Sequence, residues 1–532
     1  MLKRKLALTA LTVVLGASPI ARAADLSAIQ TVVVIYAENR SFDNLYGGFP
    51  GANGLADAKP EQCVQRDRDG TPLKGLPPIW GGTPAGVAKG APEAPVPATQ
   101  AQSEAWLGTF NHPYPVSALY GQVSKEATNP LRYANRDLYH RFYENQMQIN
   151  GGKNDMFAAW GDSGGMVMGY FAPQPEDLPL WGWASRYVLA DNFFQGAFGG
   201  SFLNHFFLIC ACAPRYPNHG VNPVEGGKNP PVSILEADGV TLKIAAKSPP
   251  SAMQGKPLFE ASTNLTPDYY AVNTMQPPFP PSNNADPTQT TVDGKLATTL
   301  PPQTAQTIGD LLTAANVDWA WYAGAWGYAL SHKPHEDIDG TNVPRFQTHH
   351  QPFNYFEAFA PATPEGKANR EKHLRDGGMG GTDFIAAIDA GKLPTVTFYK
   401  PQGDLNEHAG YADVAKGDEH IADVLRHLEK SPQWDHMLVV VTYDENGGWW
   451  DHAAPPKADR FGPGSRIPAM IISPFAKKGV VDHTLYDTTS IIRFITHRWS
   501  LPTLPGVAMR DEAMAKAGGA RIGDLTDALV LQ

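Results

Sequence analysis

Two hydrophobic stretches that each end on acidic residues constrain the fold of this chain most strongly. The first reads TVVVIYA and is followed by Glu38 and Asn39; the second reads MLVVVTY and is followed by Asp444 and Glu445. Continuous β-branched and aromatic residues are typical of strands that are buried on both faces of a parallel sheet. The sequence therefore predicts an α/β protein with a central, mostly parallel sheet flanked by helices.

The acids after these two strands predict a metal site. Carboxylates are rarely fully buried unless they are paired or bind a metal, and open α/β sheets bind ligands at the carboxyl ends of their strands. If the two strands are neighbours, the four side chains converge as oxygen ligands. Such a set suits Mg²⁺, Ca²⁺ or Mn²⁺, and less strongly Zn²⁺ or Fe. The alternative is that each acid caps a helix or pairs with an arginine.

A third hydrophobic stretch, YVLADNFF, leads through the glycine-rich turn QGAFGG to Ser201 and an apolar helix. Backbone N–H groups at the start of a helix are free to bind an anion, and a serine there can present its hydroxyl to a bound phosphate. The spacing alone favours a plain N-cap serine. Asn204 and His205 lie within one helical turn of Ser201, and we expect a structural role for His205.

Histidines in loops add further candidates. His112 lies in the proline-flanked loop NHPYP. His349 and His350 are adjacent, so they point in different directions and we expect at most one of them to face a site. His408 follows the strand KLPTVTFYK in a glycine-bounded loop. Acidic residues near His408 are alternatives for the same role.

Several motifs resemble a known family. ENRSFDNLYGGFPG near the start and YDENGGWWDH near the end look like the bacterial phosphoesterase family of AcpA-type acid phosphatases and non-haemolytic phospholipases C. NGGKNDMF and GGSFLNH agree in order between them, so the resemblance runs from about Ile29 to about Arg498. It implies the alkaline-phosphatase-like α/β fold. At one position the chain departs from the acid-phosphatase pattern, because it has Glu445 where that pattern has Asp. The identity of the metal is therefore open.

The resemblance also implies roles for the candidate residues. GGSFLNH matches the segment that carries the family's Ser or Thr nucleophile, so Ser201 is expected to attack phosphorus and form a phosphoserine. The expected ligands of a divalent metal are Glu38, Asn39, Ser201, Asp444 and Glu445. The expected catalytic histidines, which would bind phosphate oxygens or protonate the leaving group, are His112, His350 and His408. We expect Asp451 and His452 to extend this site.

The predicted function is that of an acid phosphatase acting on phosphate monoesters, because protonated histidines suit a dianionic phosphate at acidic pH. The alternative within the family is a phospholipase C that releases phosphocholine from lipid. Family phospholipases carry further β-domains after the catalytic region, and the early end of this chain favours the phosphatase. A non-catalytic exported phosphate-binding protein is a third hypothesis. A sulfatase would need a CxPxR or SxPxR motif, which the sequence lacks.

The net charge and the N-terminal sequence limit the expected partners and the expected location of the protein. The net charge of −10 argues against nucleic acid and against an electrostatic hold on anionic membranes, so the expected partner is a small phosphate ester. Residues 1–23 have a basic start, a short apolar core and the small-x-small sequence ARA, which is typical of a cleavable signal peptide. We therefore expect a periplasmic or secreted protein without a stable membrane anchor. The oligomeric state is left open.

The expected organisation is a single catalytic domain over residues 24–532. Insertions rich in Pro and Gly are expected at about 50–104, where GGTPAGVAKGAPEAPVPATQAQ is typical of a surface loop, and at about 213–300, as an insertion or a cap over the site. A helical region is expected over residues 129–160, with a break at Gly151-Gly152. Cys210 and Cys212 are interpreted as buried thiols that are too close in sequence to bridge, with a bridge from Cys63 left open.

Overall fold

A computed structural model describes residues 25–81, 105–121, 129–173, 177–216, 232–282, 299–331 and 345–531. The expected signal peptide and the second half of the first insertion lie outside the described residues. None of the helices in the described ranges has the length and hydrophobicity that a bilayer-crossing helix needs.

An eight-stranded sheet forms the centre of the protein. Its strands, in chain order, are β1 Thr31–Ala37, β2 Val188–Ala190, β3 Trp319–Ala323, β4 Leu374–Asp376, β5 Val396–Lys400, β6 Met437–Tyr443, β7 Ala469–Ile472 and β8 Val480–Asp482. They lie side by side in the order β8-β2-β7-β6-β1-β5-β3-β4. Only β7 runs against its neighbours among these strands. The predicted α/β class with a mostly parallel sheet is confirmed.

Strand β1 lies in the middle of this sheet, between β5 and β6. All seven of its residues are buried, as are all seven of β6, because helices cover both faces of a parallel sheet and leave no polar side. In the register of β1 and β6, Ala37 lies opposite Tyr443. The next residues, Glu38 and Asp444, therefore leave the sheet side by side.

The α-helices are α1 Phe42–Tyr46, α2 Pro60–Cys63, α3 Val116–Gly121, α4 Phe142–Ile149, α5 Pro179–Arg186, α6 Ser201–Cys210, α7 Ile308–Ala314, α8 Trp326–Ser331, α9 Pro364–His373, α10 Thr382–Asp389, α11 Val414–Lys430, α12 Thr489–Arg498 and α13 Pro505–Lys516. Two short strand pairs, Tyr114–Pro115 with Gly169–Tyr170 and Phe193–Phe194 with Tyr486–Asp487, lie outside the main sheet. All ten residues of α6 are buried, so α6 is a core helix and not an amphipathic surface helix.

The helical region expected over residues 129–160 is wrong in its extent, because the only α-helix among these described residues is α4. The predicted break at Gly151-Gly152 is confirmed, since Asn150 and Gly151 adopt left-handed conformations and end the helix. The expected surface loop over residues 81–102 lies, apart from Gly81, outside the described residues, and Leu73, Leu76 and Ile79 in the earlier part of the insertion are buried in the core.

The cysteine interpretation is also wrong. Cys210 and Cys212 form a disulfide, and their Cα atoms are 5.1 Å apart. Helix α6 ends at Cys210, and Ala211 follows in a left-handed conformation with φ of 49°. That turn brings the two side chains together despite their short separation in sequence. Cys63 is free and half-buried.

Candidate active site

The carboxyl ends of β1 and β6 bring four predicted ligand residues to one edge of the sheet. The backbone N–H of Asn39 donates a hydrogen bond to Asp444 Oδ1 at 3.1 Å. The N–H of Arg40 donates to the carbonyl of Glu445 at 2.9 Å. Gly447 permits this approach, since a Cβ at Gly447 would lie 2.3 Å from the Asn39 carbonyl oxygen. Two segments that are distant in the chain are thus held together as one buried unit.

Ser201 is placed beside this unit by the loop that precedes α6. Gly199 has a φ of +83°, which favours glycine. The amide of Asn204 donates to the carbonyls of Ala197 and Gly199 and fixes the loop. The hydroxyl of Ser201 donates to Asn39 Oδ1 at 3.5 Å. The predicted nucleophile and the predicted metal ligands are therefore brought together.

Lys400, which the sequence analysis did not single out, lies within the same cluster. It is the last residue of β5 and is completely buried. Its Nζ atom is 2.7 Å from Glu38 Oε1 and 3.9 Å from Asp444 Oδ2. Burying an ammonium costs free energy unless it is paired, and here both acid-bearing strands supply a partner. The signal was available, because this lysine also follows a hydrophobic stretch at the carboxyl end of a parallel strand.

The adjacent histidines both reach the site, contrary to the expectation for one of them. His350 Nε2 lies 2.6 Å from Glu38 Oε1, whereas His349 lines the pocket that contains Ser201. A single turn of 3-10 helix, Thr348–His350, presents the two rings from different directions. Burial lowers the pKa of His350 to about 4 and holds that of His349 well below its usual value.

His408 also lines this pocket, and the structure brings in His140 where the sequence suggested His112. His408 Nε2 is 3.9 Å from Glu38 Oε2, and His140 Nε2 is 3.5 Å from Glu445 Oε1. His112 is exposed and lies against Phe110, with ring centres 4.9 Å apart, and it is not among the described residues that line the pocket. His140 lies in an irregular stretch that ends where α4 begins at Phe142, so the helix expected over residues 129–160 gave the wrong surroundings for it.

His205, for which we expected a structural role, lies next to the acids and forms a buried group of potential metal ligands with Glu38 and Asp444. Its ring is fully buried in α6, with Nδ1 2.7 Å from the carbonyl oxygen of Ser201. A carbonyl only accepts hydrogen bonds, so Nδ1 carries the proton. Burial lowers the pKa of His205 well below its usual value, and the ring is therefore neutral.

The electrostatics of the acids are unequal. Burial opposes the ionised form of Glu38, but Lys400 and His350 outweigh it and hold the pKa of Glu38 well below its usual range. Burial raises the pKa of Asp444 to about 7, although Lys400 lowers it. Burial and then the charge of Asp444 raise the pKa of Glu445 well above its usual range. The three carboxyl groups therefore outnumber the one ammonium, that of Lys400, which could neutralise them.

The donor set fits a divalent cation. Asp444 Oδ2 and Glu445 Oε1 are buried oxygens that accept no hydrogen bond among the described residues. Glu38, Asp444 and Glu445 share this edge of the sheet with one ammonium, so with all three carboxylates ionised, as they would be around a cation, their charge would exceed that of Lys400 by two. Carboxylate and amide oxygens suit a hard cation, and the neutral imidazoles nearby also suit zinc.

A second buried group of acids, which we call the Arg466 cluster, lies further along the same two segments. Its members are Asp43, Asp451, His452 and Arg466. The Arg466 guanidinium donates to Asp43 Oδ1 and to Asp451 Oδ1, each at 3.0 Å. His452 Nδ1 lies 2.7 Å from Asp43 Oδ2. Asp451 and His452 therefore do not extend the site around Ser201 but form a separate ion-pair network.

A pocket of about 650 Å³ opens above Ser201. One wall comes from the second insertion, through Asn264 and residues 272–274. Arg141 and Arg345 line the pocket, and Asp137 is the one acid among the lining residues that the structure describes. The pocket thus combines a hydroxyl, histidines and positive charge, as a phosphate-binding site requires.

A family model for the phosphoesterase family matches residues 29–502. The chain belongs to the phosphoesterase family. This confirms the resemblance that the motifs indicated. Metal-dependent members are usual in this family, and the buried donor groups described above are in keeping with that.

The chain is similar to several curated proteins over part of its length. It is 30% identical over 169 residues to phospholipase C B of Mycobacterium tuberculosis, covering 27% of this chain and 31% of that protein. It is 26% identical over 231 residues to the non-hemolytic phospholipase C of Burkholderia pseudomallei, covering 36% of this chain and 32% of that protein. The matched stretches thus span about a third of these relatives.

Solved structures give a weaker comparison. A protein in the alkaline phosphatase superfamily from Vibrio parahaemolyticus aligns with 42% of this chain and 52% of its own, at 13% identity and a TM-score of 0.23. A likeness at this level carries no argument about the function of this chain.

Proposed function

We propose that this protein hydrolyses phosphate esters through a phosphoserine on Ser201, with phosphate monoesters as its substrates. The observation that carries the proposal is the position of the Ser201 hydroxyl. It lies at the first residue of α6, 3.5 Å from Asn39 Oδ1 and within hydrogen-bonding reach of the buried carboxylate of Asp444. A hydroxyl beside a cation-binding cluster, at a helix start that favours anions, is suited to attack a phosphate.

The chemistry follows from the residues around that hydroxyl. Ser201 Oγ forms a bond to phosphorus as the bond from phosphorus to the leaving oxygen breaks, and water later releases the phosphate. His140 and His408 line the pocket and are placed to donate a proton to the leaving oxygen. A divalent cation held by Glu38, Asn39 and the two acids after β6 would offset the charge of the phosphate and favour the alkoxide form of Ser201.

The charge of the pocket supports an anionic substrate over a choline ester. Quaternary ammonium groups are recognised by aromatic cages, and in the described lining the open aromatic surface comes from Tyr411, because Phe202 is buried. Arg141 and Arg345 outnumber Asp137 in the same lining. Two guanidinium groups attract a phosphate dianion and repel a trimethylammonium group.

A phospholipase C activity is the second candidate, and two observations favour it. The curated relatives described above are named phospholipases C. In addition, a cavity of about 680 Å³ is lined by Met147, Met156, Trp160 and Phe198. The same lining includes charged residues such as Arg68, Lys457 and Arg460, so the apolar part of the cavity suits an acyl chain and the charged part suits a lipid headgroup. Hydrolysis of p-nitrophenyl phosphate and of p-nitrophenyl phosphorylcholine separates the two activities.

The nucleophile is tested by Ser201→Ala. We expect a loss of at least about a thousandfold in kcat on p-nitrophenyl phosphate, with an unchanged circular dichroism spectrum. Acid-quenched wild-type protein should carry a phosphoryl group on Ser201 in peptide mass spectra. Ser185→Ala, at an exposed position in α5, is the matched control and should retain wild-type activity.

The outcomes of this experiment separate the hypotheses. Retained activity in Ser201→Ala would remove the nucleophile assignment. Phosphate binding without turnover of either ester by the wild type would support the non-catalytic binding protein. Preference for the choline ester would support the phospholipase.

We also propose that the protein is exported and acts on small phosphate esters without binding nucleic acid or a membrane stably. The basic and apolar start of the chain and the net charge of −10 support this. Protein purified from the periplasm or medium of the producing cells should begin at Ala24. Full-length protein found only in the cytoplasm would contradict export.

A further inference from the structure

Lys400 has no part in the chemistry proposed above, yet its ammonium lies inside the acid cluster. The register of the sheet places it there. Tyr399 lies opposite Ile35, so Lys400 lies beside the last residues of β1. No part of Lys400 is exposed to solvent. Nζ approaches both acids that follow the neighbouring strands, at 2.7 Å from Glu38 and 3.9 Å from Asp444.

The surroundings of this ammonium are those of a bound cation. Nζ also lies 3.5 Å from the carbonyl oxygen of Ala37 and 5.4 Å from the centre of the Tyr36 ring. Carboxylate, carbonyl and aromatic face are all groups that attract positive charge. A buried ammonium is tolerated only where such partners are present, and Lys400 has them on the side that faces the metal ligands.

The same carboxylate oxygen takes part in a second donor group. Glu38 Oε1, which contacts Lys400, is also 2.6 Å from His350 Nε2. Glu38, His349 and His350 present ligand atoms that all lie within 4.8 Å of one another, and all three are buried. Two imidazoles and a carboxylate are a set that binds zinc. A cation held there would lie against the ammonium of Lys400, and the two like charges would repel each other in a medium of low dielectric constant.

We propose that Lys400 is a built-in cation that holds Glu38 against His350 and restricts the acid cluster to one divalent metal ion. Lys400 is in this sense a positioning residue, since it acts through Glu38 and not on the substrate. The inference rests on the metal dependence in the proposed function. It adds that the group formed by Glu38, His349 and His350 binds no metal, because the ammonium of Lys400 already pairs with the carboxylate of Glu38.

Zinc content per chain tests this proposal independently of activity. Wild-type protein and variants are freed of metal, dialysed to equilibrium against ZnCl₂ and measured by mass spectrometry of the metal. We expect one zinc per wild-type chain and two per chain in Lys400→Met, because the uncharged side chain frees Glu38 for the second group. The double variant Lys400→Met/His349→Ala should return to one zinc, which places the added ion on that group.

Two controls separate charge from other effects of substitution. Lys400→Arg keeps the positive charge and should bind one zinc. Lys416→Met removes an exposed lysine that pairs with Asp404 at 2.9 Å, and it should also bind one zinc. Thermal unfolding with and without zinc is recorded for every variant. We expect the stability of Lys400→Met to depend on zinc more steeply than that of the wild type.

Each contrary result overturns the proposal. Two zinc ions in the wild type, one in Lys400→Met, or two in the double variant would each do so. Failure of Lys400→Met to fold at any zinc concentration would also count against it, because a cation from solution could then not replace the ammonium. A wild type that binds neither zinc nor, in parallel dialysis, Mg²⁺, Ca²⁺ or Mn²⁺ would contradict the proposed metal dependence itself, whereas one zinc in both proteins would remove only the role of Lys400.

Discussion

The acid cluster beside Ser201 and the Arg466 cluster are built on the same two segments but balance their charge differently. Each segment supplies acids to both clusters: the one after β1 carries Glu38 and Asp43, and the one after β6 carries Asp444 and Asp451. In the Arg466 cluster, the acids face Arg466 and His452, so the cluster is neutral when His452 is protonated. The acids beside Ser201 have one permanently charged partner among the described residues, Lys400, and their other close partners are the imidazoles of His140, His350 and His408.

This difference distinguishes a structural network from a functional site. A self-neutralised group of buried charges holds its segments together with no help from outside. A group with an excess of negative charge is complete only when a ligand supplies the missing positive charge. The two clusters are thus a matched pair in which the same substitution has opposite consequences.

The largest expected effect is on activity in Asp444→Asn. An amide at this position removes a charged ligand of the metal and a neighbour of Ser201. We expect kcat on p-nitrophenyl phosphate to fall by about a thousandfold or more and zinc affinity to fall in isothermal titration. Near-wild-type turnover with normal zinc binding would show that the acids beside Ser201 do not differ in role from those of the Arg466 cluster.

The next largest effect is on stability in Arg466→Met. Removal of this guanidinium leaves Asp43 and Asp451 buried without their main partner, so the free energy of unfolding should fall by about 3–5 kcal/mol in urea titration. Arg460→Met is the matched control, because Arg460 pairs with Asp268 where both side chains are half exposed. There we expect a change of about 0–1 kcal/mol. Equal losses in the two variants would contradict the buried network.

A direct comparison uses one substitution in both clusters of the metal-free protein. Asp43→Asn should lower the free energy of unfolding by about 1–3 kcal/mol, because Arg466 and His452 lose a charged acceptor. Asp444→Asn should leave the stability of the metal-free protein unchanged or raise it, because it relieves an excess of negative charge. Similar losses in both variants, measured in the presence of EDTA, would refute the contrast.

The smallest expected effect is on the pH dependence of stability. Burial opposes the imidazolium form of His452, but Asp43 and Asp451 outweigh it and raise the pKa of His452. Its contribution is therefore complete below about pH 6.5, the usual histidine pKa, and is lost as the pH rises through the raised pKa. Between pH 6 and pH 9, this loss should be on the order of 1 kcal/mol in the metal-free wild type. His452→Gln should lack this part of the slope, and an identical slope in both proteins would contradict the assignment.

The parts of the molecule that could be predicted from the sequence share one physical property. Strands β1, β3, β5 and β6 and helix α6 are continuous hydrophobic stretches whose burial does not depend on any particular partner. Once β1 and β6 are neighbours, the meeting of Glu38 with Asp444 follows from strand direction alone. The position of Ser201 follows in the same way from a glycine turn before a core helix.

The features that escaped prediction depend on tertiary contacts. His140 lies in an irregular stretch, and its position is set by Gly200, where a Cβ would lie 3.2 Å from the imidazole ring. The disulfide depends on the left-handed conformation of Ala211, an alanine that gives no local signal for it. Lys400 could have been predicted, because a charged residue at the carboxyl end of a buried parallel strand marks a site whether it is an acid or a lysine.

The central position of β1 has a consequence for how the chain folds. Val32 pairs with Val396 on one side and with Leu438 on the other. Strand β1 is synthesised first, and both of its partner strands lie in the last third of the chain. Such distant pairing is slow and leaves an apolar strand exposed on the way. During synthesis, β1 is therefore an apolar segment without its strand partners. We expect chaperones to bind it until residue 445 has emerged from the ribosome.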